Sequence, residues 1–403
     1  MGSRAGGLFR GALVWCCLAA ISRPAPSAAG DCGGARPCGC GDRVVQSTIL
    51  ADDLGPCPGD GLRLVAGVSL DGGGHAIRGS KPVDTAGVIV TERAAGAFVQ
   101  NLEVSGFERG IRLVGARGAQ LSNVRSHHNG DRRTRVGYGI DLAGGSSGNR
   151  IERCRIHDNA DEGVHFGTAS AGNKLLHSEI ADNFRENVYF LESSGNVVED
   201  CDVRGGGNDS FYVKNSRGTV IARNRVGDRP LTVRGSSSGT VLSDNRIEGT
   251  GILVTDYRDK KTGELLVPAR TAIRGGRISN RRACVRAEAG SGTTIESVEL
   301  DCPDDVSVAG GASVTGIGCR LTVRCDGPGE VLSAPAGALE SVASGRDAGS
   351  ALAVSSVVRT CGSGAATPRE AGTVEGARGS RPAGSGVERP PGSERGRARR
   401  RAR

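Results

Sequence analysis

Six side chains at one recurring position form a set that could act on a substrate: Arg112, Asp141, His165, Tyr189, Tyr212 and Thr232. Each follows the apolar residue that opens a short strand-like run. A cation, a carboxylate, an imidazole and two phenol rings suit acidic sugars. Removing the proton at C5 of a uronate needs a cation to neutralise the neighbouring carboxylate, a base titrating near neutrality and a proton donor. Arg grips a carboxylate through paired hydrogen bonds, and His titrates closest to neutral pH. The expected catalytic residues are therefore His165, Asp141, Tyr189 and Arg112, with Arg135 as the other candidate cation and Tyr138 as the other donor. Tyr138, Arg135, Tyr212 and Lys214 are expected to bind substrate.

These residues share one face only if the chain stacks short strands in register. Repeating units begin at 139, 163, 187, 210, 230 and 251, at intervals of 24, 24, 23, 20 and 21 residues. Each unit reads as a strand, a Gly/Ser/Asn turn, a second strand and a second turn. Strands this short cannot bury a face alone, so stacking must supply the core. Parallel stacking would place equivalent residues about 4.8 Å apart. Three apolar columns result: Ile111, Ile140, Val164, Val188, Phe211, Leu231 and Ile252; Ile151, Leu175, Val198, Ile221 and Leu242; and Ile156, Ile180, Val203, Val226 and Ile247. With 65 glycines and 3% aromatic residues, the composition suits many short strands and tight turns. The expected fold is all-β, a single-stranded parallel solenoid of about ten coils, most regular over residues 87–254.

The coil from Gly110 to Gly139 is 29 residues long, and its extra length places His128, Asp131, Arg132, Arg133, Arg135 and Tyr138 beside Asp141 and His165. Long loops on a rigid scaffold are where binding and catalysis concentrate. Asn129, Asn159 and Asn183 are expected to form a structural ladder at one turn, where Asn tolerates left-handed geometry. Cys154 and Cys201 sit at inward positions two coils apart and are expected to be buried thiols. His75 reads as a turn residue, and His157 and His177 as solvated strand residues. His127, His128 and Asp131 are the metal-binding alternative; the expectation is no metal and no cofactor.

Residues 1–29 read as an export signal, with Arg4 and Arg10 before an 11-residue apolar run that is too short to span a bilayer. Export favours disulfides among the 11 mature cysteines, whose connectivity the sequence leaves open. A zinc site in the first cluster is the alternative, though Cys38 and Cys40 are spaced too tightly for ordinary knuckle geometry. The further divisions expected are a Cys-rich N-terminal cap over 30–61, the solenoid over 62–330, a C-terminal cap region over 331–361 and a disordered basic tail over 362–403. A charged insertion over 256–268 reads as a protruding hairpin. Three basic residues fall in 1–30 and ten in 362–403, so 31–361 carries 39 basic against 40 acidic residues. A near-neutral folded part argues against nucleic acid. The expected partner is an acidic polysaccharide, for a secreted or periplasmic monomer without membrane insertion.

With its ladder pattern and the turn Leu70-DGGGHA-Ile77, the chain resembles right-handed parallel β-helix repeat proteins of the pectin-lyase-like superfamily. That superfamily includes pectate lyases, polygalacturonases, alginate epimerases, phage tailspikes and a periplasmic protein of copper-enzyme maturation. The resemblance covers about 57–330 and implies a right-handed helix. Tyr138-GID is similar to the YGxD strand of alginate epimerases, with Leu142-Ala143 where Pro-His usually follows. Gly207-NDSFYVK is similar to a polygalacturonase strand, with Asn208 replacing an Asp and two further elements missing. The resemblance implies a lyase or C5 epimerase of acidic polysaccharide. The alternatives are a non-catalytic β-helix binding glycan or protein, or an accessory protein of copper-enzyme maturation.

Overall fold

The computed structural model describes residues 29–334, except 66, 81–82, 289–291, 318–320 and 327, together with 357–361. The expected signal and basic tail lie outside the described residues. Among those residues there is no helix. The chain is an all-β, right-handed parallel solenoid of about 12 turns. One sheet of 14 strands runs the length of the stack, and the second and third strands of each turn pair with their counterparts in the next. No helix of the described residues is long and apolar enough to cross a membrane.

The apolar columns are the core. Ile111, Ile140, Val164, Val188, Phe211, Leu231 and Ile252 are successive register partners. All seven are buried. The second column extends to Leu121 at one end and Ile273 at the other. The third continues to Ile278. Phe166 and Phe190 stack inside the solenoid with ring centroids 4.8 Å apart, as in-register strands dictate. The stack also reaches beyond its regular centre. Asp31–Cys32, Arg43–Val44 and Leu62–Leu64 are the first strands of the long sheet.

All three turns of a coil use one device, a left-handed residue followed by a small polar side chain pointing inward. His128, Asp158 and Asp182 have φ values of 53°, 54° and 54°, and each precedes a ladder asparagine. The ladder residues themselves are not left-handed. Asparagine is required there for its hydrogen bonds, not for its tolerance of positive φ. Asn129 Nδ2 donates to Asn159 Oδ1 (3.0 Å), and Asn159 Nδ2 to Asn183 Oδ1 (2.9 Å). A second ladder runs through Asn149, Asn173 and Asn196. Left-handed Gly148, Gly172 and Gly195 precede its members. At the third turn Cys154, Ser178, Cys201, Asn224 and Asn245 face inward and buried. Cys154 and Cys201 are free thiols, which burial pushes up to about 12.

Disulfides join Cys32 to Cys38, Cys40 to Cys57 and Cys284 to Cys302. All four cysteines of the first cluster are thereby committed, which removes the zinc alternative. The insertion is a hairpin, with Tyr257–Arg258 antiparallel to Leu265–Leu266. At the C-terminal end Gly329–Ala334 pairs antiparallel with Val357–Cys361, covering an edge that would otherwise expose unpaired backbone. His157 departs from expectation. It is 8% exposed and buried under His127, because their two strands are exactly one coil apart in register.

Candidate functional site

The outward position of the long sheet carries a continuous run of rings. Arg112 pairs with Asp141, Asp141 with His165, His165 with Tyr189 and Tyr189 with Tyr212 in the parallel register. Tyr138 begins the strand that holds Asp141, and its ring lies over His165 in the next coil, centroids 5.2 Å apart and nearly parallel. His165 lies 5.5 Å from Tyr189, and Tyr189 lies 5.3 Å from Tyr212. Imidazole and phenol rings therefore line one face across four adjacent coils.

Asp141 anchors the imidazole. Its Oδ1 is 3.0 Å from His165 Nδ1, leaving Nε2 as the ring nitrogen not bound to the carboxylate. Asp141 is only 4% exposed. Two guanidinium groups approach its other oxygen, Arg109 Nε at 3.3 Å and Arg112 Nε at 3.5 Å. Arg109 also holds Glu108 at 2.6 Å and lies over the Tyr138 ring at 5.7 Å. Tyr212 accepts a hydrogen bond from Arg234 Nη1 at 3.2 Å. Lys214 Nζ sits 4.0 Å from the centre of the Tyr257 ring, with Arg234 also over that ring at 5.2 Å.

Of the eight expected site residues, seven lie along this strip. Arg135 is the exception: it is exposed in the loop after Asn129, with left-handed backbone, and its N–H donates to Asp131 O. The cation on that side of the site is Arg109.

The sequence reading omitted a second column. Three residues before the outward position stand Arg109, Tyr138, Glu162, Glu186, Asp209 and Arg229 in successive coils, of which Arg109 and Tyr138 are register partners. Its signal lies in the repeat itself, where an acidic residue stands three positions before the outward residue in the coils of Glu162, Glu186 and Asp209. Glu162 and Glu186 are buried with Asp161, and their carboxylate oxygens approach within 4.8 Å of one another. Arg185 spans the group, with Nη1 3.1 Å from Asp161 and 3.2 Å from Glu162, and Nε 3.4 Å from Glu186. Burial, then the neighbouring Asp161 and Glu186, drive Glu162 well above the usual carboxylate range. Burial also raises Asp161, against the opposing charge of Arg185. Tyr138 is raised by burial first and by Glu162 next, and Tyr189 by burial first, then Tyr212 and Glu162, so both phenols stay protonated at neutral pH. The charges are layered: carboxylates lie inside, while Arg112 and Arg185 expose 34% and 37% of their side chains.

Asp209 gives this layering a measurable consequence. Burial raises it to about 6, although it accepts a 2.5 Å hydrogen bond from Thr232 Oγ1. The folded protein holds this proton more tightly than the unfolded chain. Stability from this group is complete below about pH 4 and is lost as pH rises through about 6. Asp209→Asn keeps an acceptor for Thr232 without the charge. Urea denaturation is expected to show wild type losing about 1–2 kcal/mol more than Asp209→Asn between pH 4 and 7. Parallel pH profiles would contradict this.

The model of the family "Right handed beta helix region" matches residues 65–180 and 109–265. No curated protein matches the chain. Among solved structures, the Dettilon tailspike protein is similar with a TM-score of 0.54 and 13% identity, over 65% of this chain and 59% of its own. This chain thus spans about three fifths of that protein's length. A double mutant of the periplasmic alginate epimerase AlgG is similar at 11% identity and a TM-score of 0.48, covering 64% of this chain and 70% of its own. The A-module of Azotobacter vinelandii mannuronan C-5 epimerase AlgE6 is similar at 14% identity and a TM-score of 0.40, covering 71% and 87%.

Proposed function

Because this chain is a right-handed parallel β-helix repeat protein whose varied side chains collect on one sheet, we propose that this face binds an acidic polysaccharide and removes the C5 proton of a uronate, as a lyase or C5 epimerase. The observation that carries the reading is the 3.0 Å contact of Asp141 with His165, between the rings of Tyr138 and Tyr189. Asp141 fixes the tautomer and stabilises the imidazolium that forms, while Nε2 takes the proton. Arg112 and Arg185, the partly exposed cations, meet the uronate carboxylate and stabilise the charge that develops on it. Tyr189 keeps its proton and delivers it to the departing O4 in a lyase, leaving a C4–C5 double bond. In an epimerase the same proton goes to the opposite face of C5. Tyr138, Tyr212, Lys214 and Arg234 extend the sugar-binding strip to either side. Disulfides such as Cys32–Cys38, Cys40–Cys57 and Cys284–Cys302 support work outside the cytosol.

A glycan-binding face without turnover is the second reading. The unbroken run from Tyr138 to Tyr212 favours it, since stacking on sugars requires no base. A panel of alginates, pectates and glycosaminoglycans separates the two. The proposal expects at least one polyuronate to bind and to yield either an ultraviolet-absorbing unsaturated uronate or an altered C5 configuration. Binding without either product would favour the second reading, and no binding to any acidic glycan would defeat both.

A further inference from the structure

Two residues beyond the ring column, the same strands carry another outward column, and it turns basic. Lys214 ends the strand Phe211–Lys214, Arg234 ends Leu231–Arg234, and the two are direct register partners. Like charges one strand spacing apart repel. Elsewhere the solenoid offsets that repulsion. Arg43 and Arg63, Arg125 and Arg155, and Arg225 and Arg246 are also stacked in register. Every one of them has a carboxylate within 3.5 Å. Among the described residues Lys214 and Arg234 form no ion pair. They share the Tyr257 ring instead, its centre 4.0 Å from Lys214 Nζ and 5.2 Å from Arg234 Cζ.

The group is held in place from both sides. Arg234 Nε donates to Asp256 O at 2.8 Å and Nη1 to the Tyr212 hydroxyl at 3.2 Å. These bonds fix the guanidinium and leave Nη2 without a hydrogen bond among the described residues. Tyr257 opens the inserted hairpin, in which Asp259 Oδ1 accepts from the N–H groups of Lys261 and Thr262 at 2.8 and 2.9 Å. The base of the insertion is therefore tied to Arg234, and its ring to both cations. Tyr212, Lys214, Arg234 and Tyr257 are half-buried, so each keeps part of its surface in solvent.

We propose that Lys214, Arg234 and Tyr257 form a subsite for the carboxylate of an acidic sugar remote from the reacting one. This deepens the polyuronate reading above and rests on it. Lys214 Nζ and Arg234 Nη2 supply the charge and the donors. The rings from Tyr138 to Tyr212 follow the solenoid axis coil by coil, and a glycan stacked on them runs the same way. Lys214 lies two coils beyond His165 and Arg234 three, about 10 and 14 Å along that axis. A pyranose in an extended chain advances by close to one strand spacing. The subsite therefore takes a carboxylate two or three sugars from the one over His165. A dimer over His165 ends short of these cations, whereas a hexamer reaches them.

The test is calorimetric titration of the full chain with hexagalacturonate, hexamannuronate and hexaguluronate. The dimer and the carboxyl-reduced, neutral hexamer of whichever binds are titrated in parallel. Wild type is expected to bind the acid hexamer more tightly than either. Lys214→Gln and Arg234→Gln are each expected to weaken the acid hexamer about 10-fold, the worth of a hydrogen bond to a charged group. Each should shrink the preference over the neutral hexamer by the same factor, whereas a lost packing contact would weaken both hexamers alike. Tyr257→Ala is expected to weaken the acid hexamer about 3-fold, and Tyr257→Phe, which keeps the ring, to recover the affinity. Equal affinity of wild type for dimer and hexamer would overturn the subsite and leave the polyuronate reading in place. So would an undiminished preference for the acid hexamer in both Lys214→Gln and Arg234→Gln. Failure of every acid hexamer to bind wild type would overturn both.

Discussion

Replacing His165 with Ala is expected to lower turnover of a polyuronate by about three orders of magnitude, within the range typical of a positioned general base. Binding should change much less. His165 is one of four rings in the strip, and losing one stacking partner costs about 1 kcal/mol, a factor of roughly five in affinity. The arginines that meet the carboxylate remain. This separation of turnover from binding distinguishes a base from a platform. Asp141→Asn provides the companion test, because it keeps the shape and removes the charge that stabilises the imidazolium. It also leaves Arg109 and Arg112 without their shared carboxylate. A His165→Ala protein that folds and retains full turnover would remove His165 from the mechanism.

Asn159→Ala is expected to have the largest effect on stability. Asn159 is fully buried in the middle of its ladder. Its Oδ1 accepts from the backbone N–H of Asn129 (3.2 Å) and from Asn129 Nδ2 (3.0 Å). Its Nδ2 donates to Ser126 O (3.3 Å) and Asn183 Oδ1 (2.9 Å). Alanine removes a hydrogen-bond partner from four buried polar atoms, at about 1–3 kcal/mol for each one left wholly unsatisfied, while Asn129 Nδ2 keeps Ser126 Oγ at 3.1 Å. Asn183 Oδ1 keeps the Asn159 backbone N–H as a donor, which reduces the sum. A net loss of about 3–4 kcal/mol is expected in urea denaturation. A loss below about 1 kcal/mol would mean that water or a neighbouring side chain takes over the ladder.

The solenoid was legible because each inward column is apolar in nearly every coil and returns at intervals of 20 to 24 residues. Ladder positions and buried thiols followed from the same alignment. The coils at the two ends were less legible, since strands such as Arg43–Val44 are two residues long and carry little pattern. Cysteine clustering pointed to disulfides, but pairing depends on which coils abut. Glu162, Glu186 and Asp209 were missed because they precede the apolar residue that marks each strand and so lie outside its alternation. Arg135 was placed by loop proximity, whereas register placed Arg109 there instead. His157 looked solvated because alternation along a strand says nothing of a stacked ring from the next coil.

The central claim is that His165 removes the C5 proton of a uronate held on this face, and proton exchange tests it most directly. A polyuronate that binds the protein is incubated with it in deuterium oxide, and the C5 signal is followed by nuclear magnetic resonance. Wild-type protein should wash deuterium into C5 or eliminate across C4–C5, and His165→Ala should do neither while still binding. A bound polymer whose C5 protons persist unchanged with wild-type protein would contradict the account.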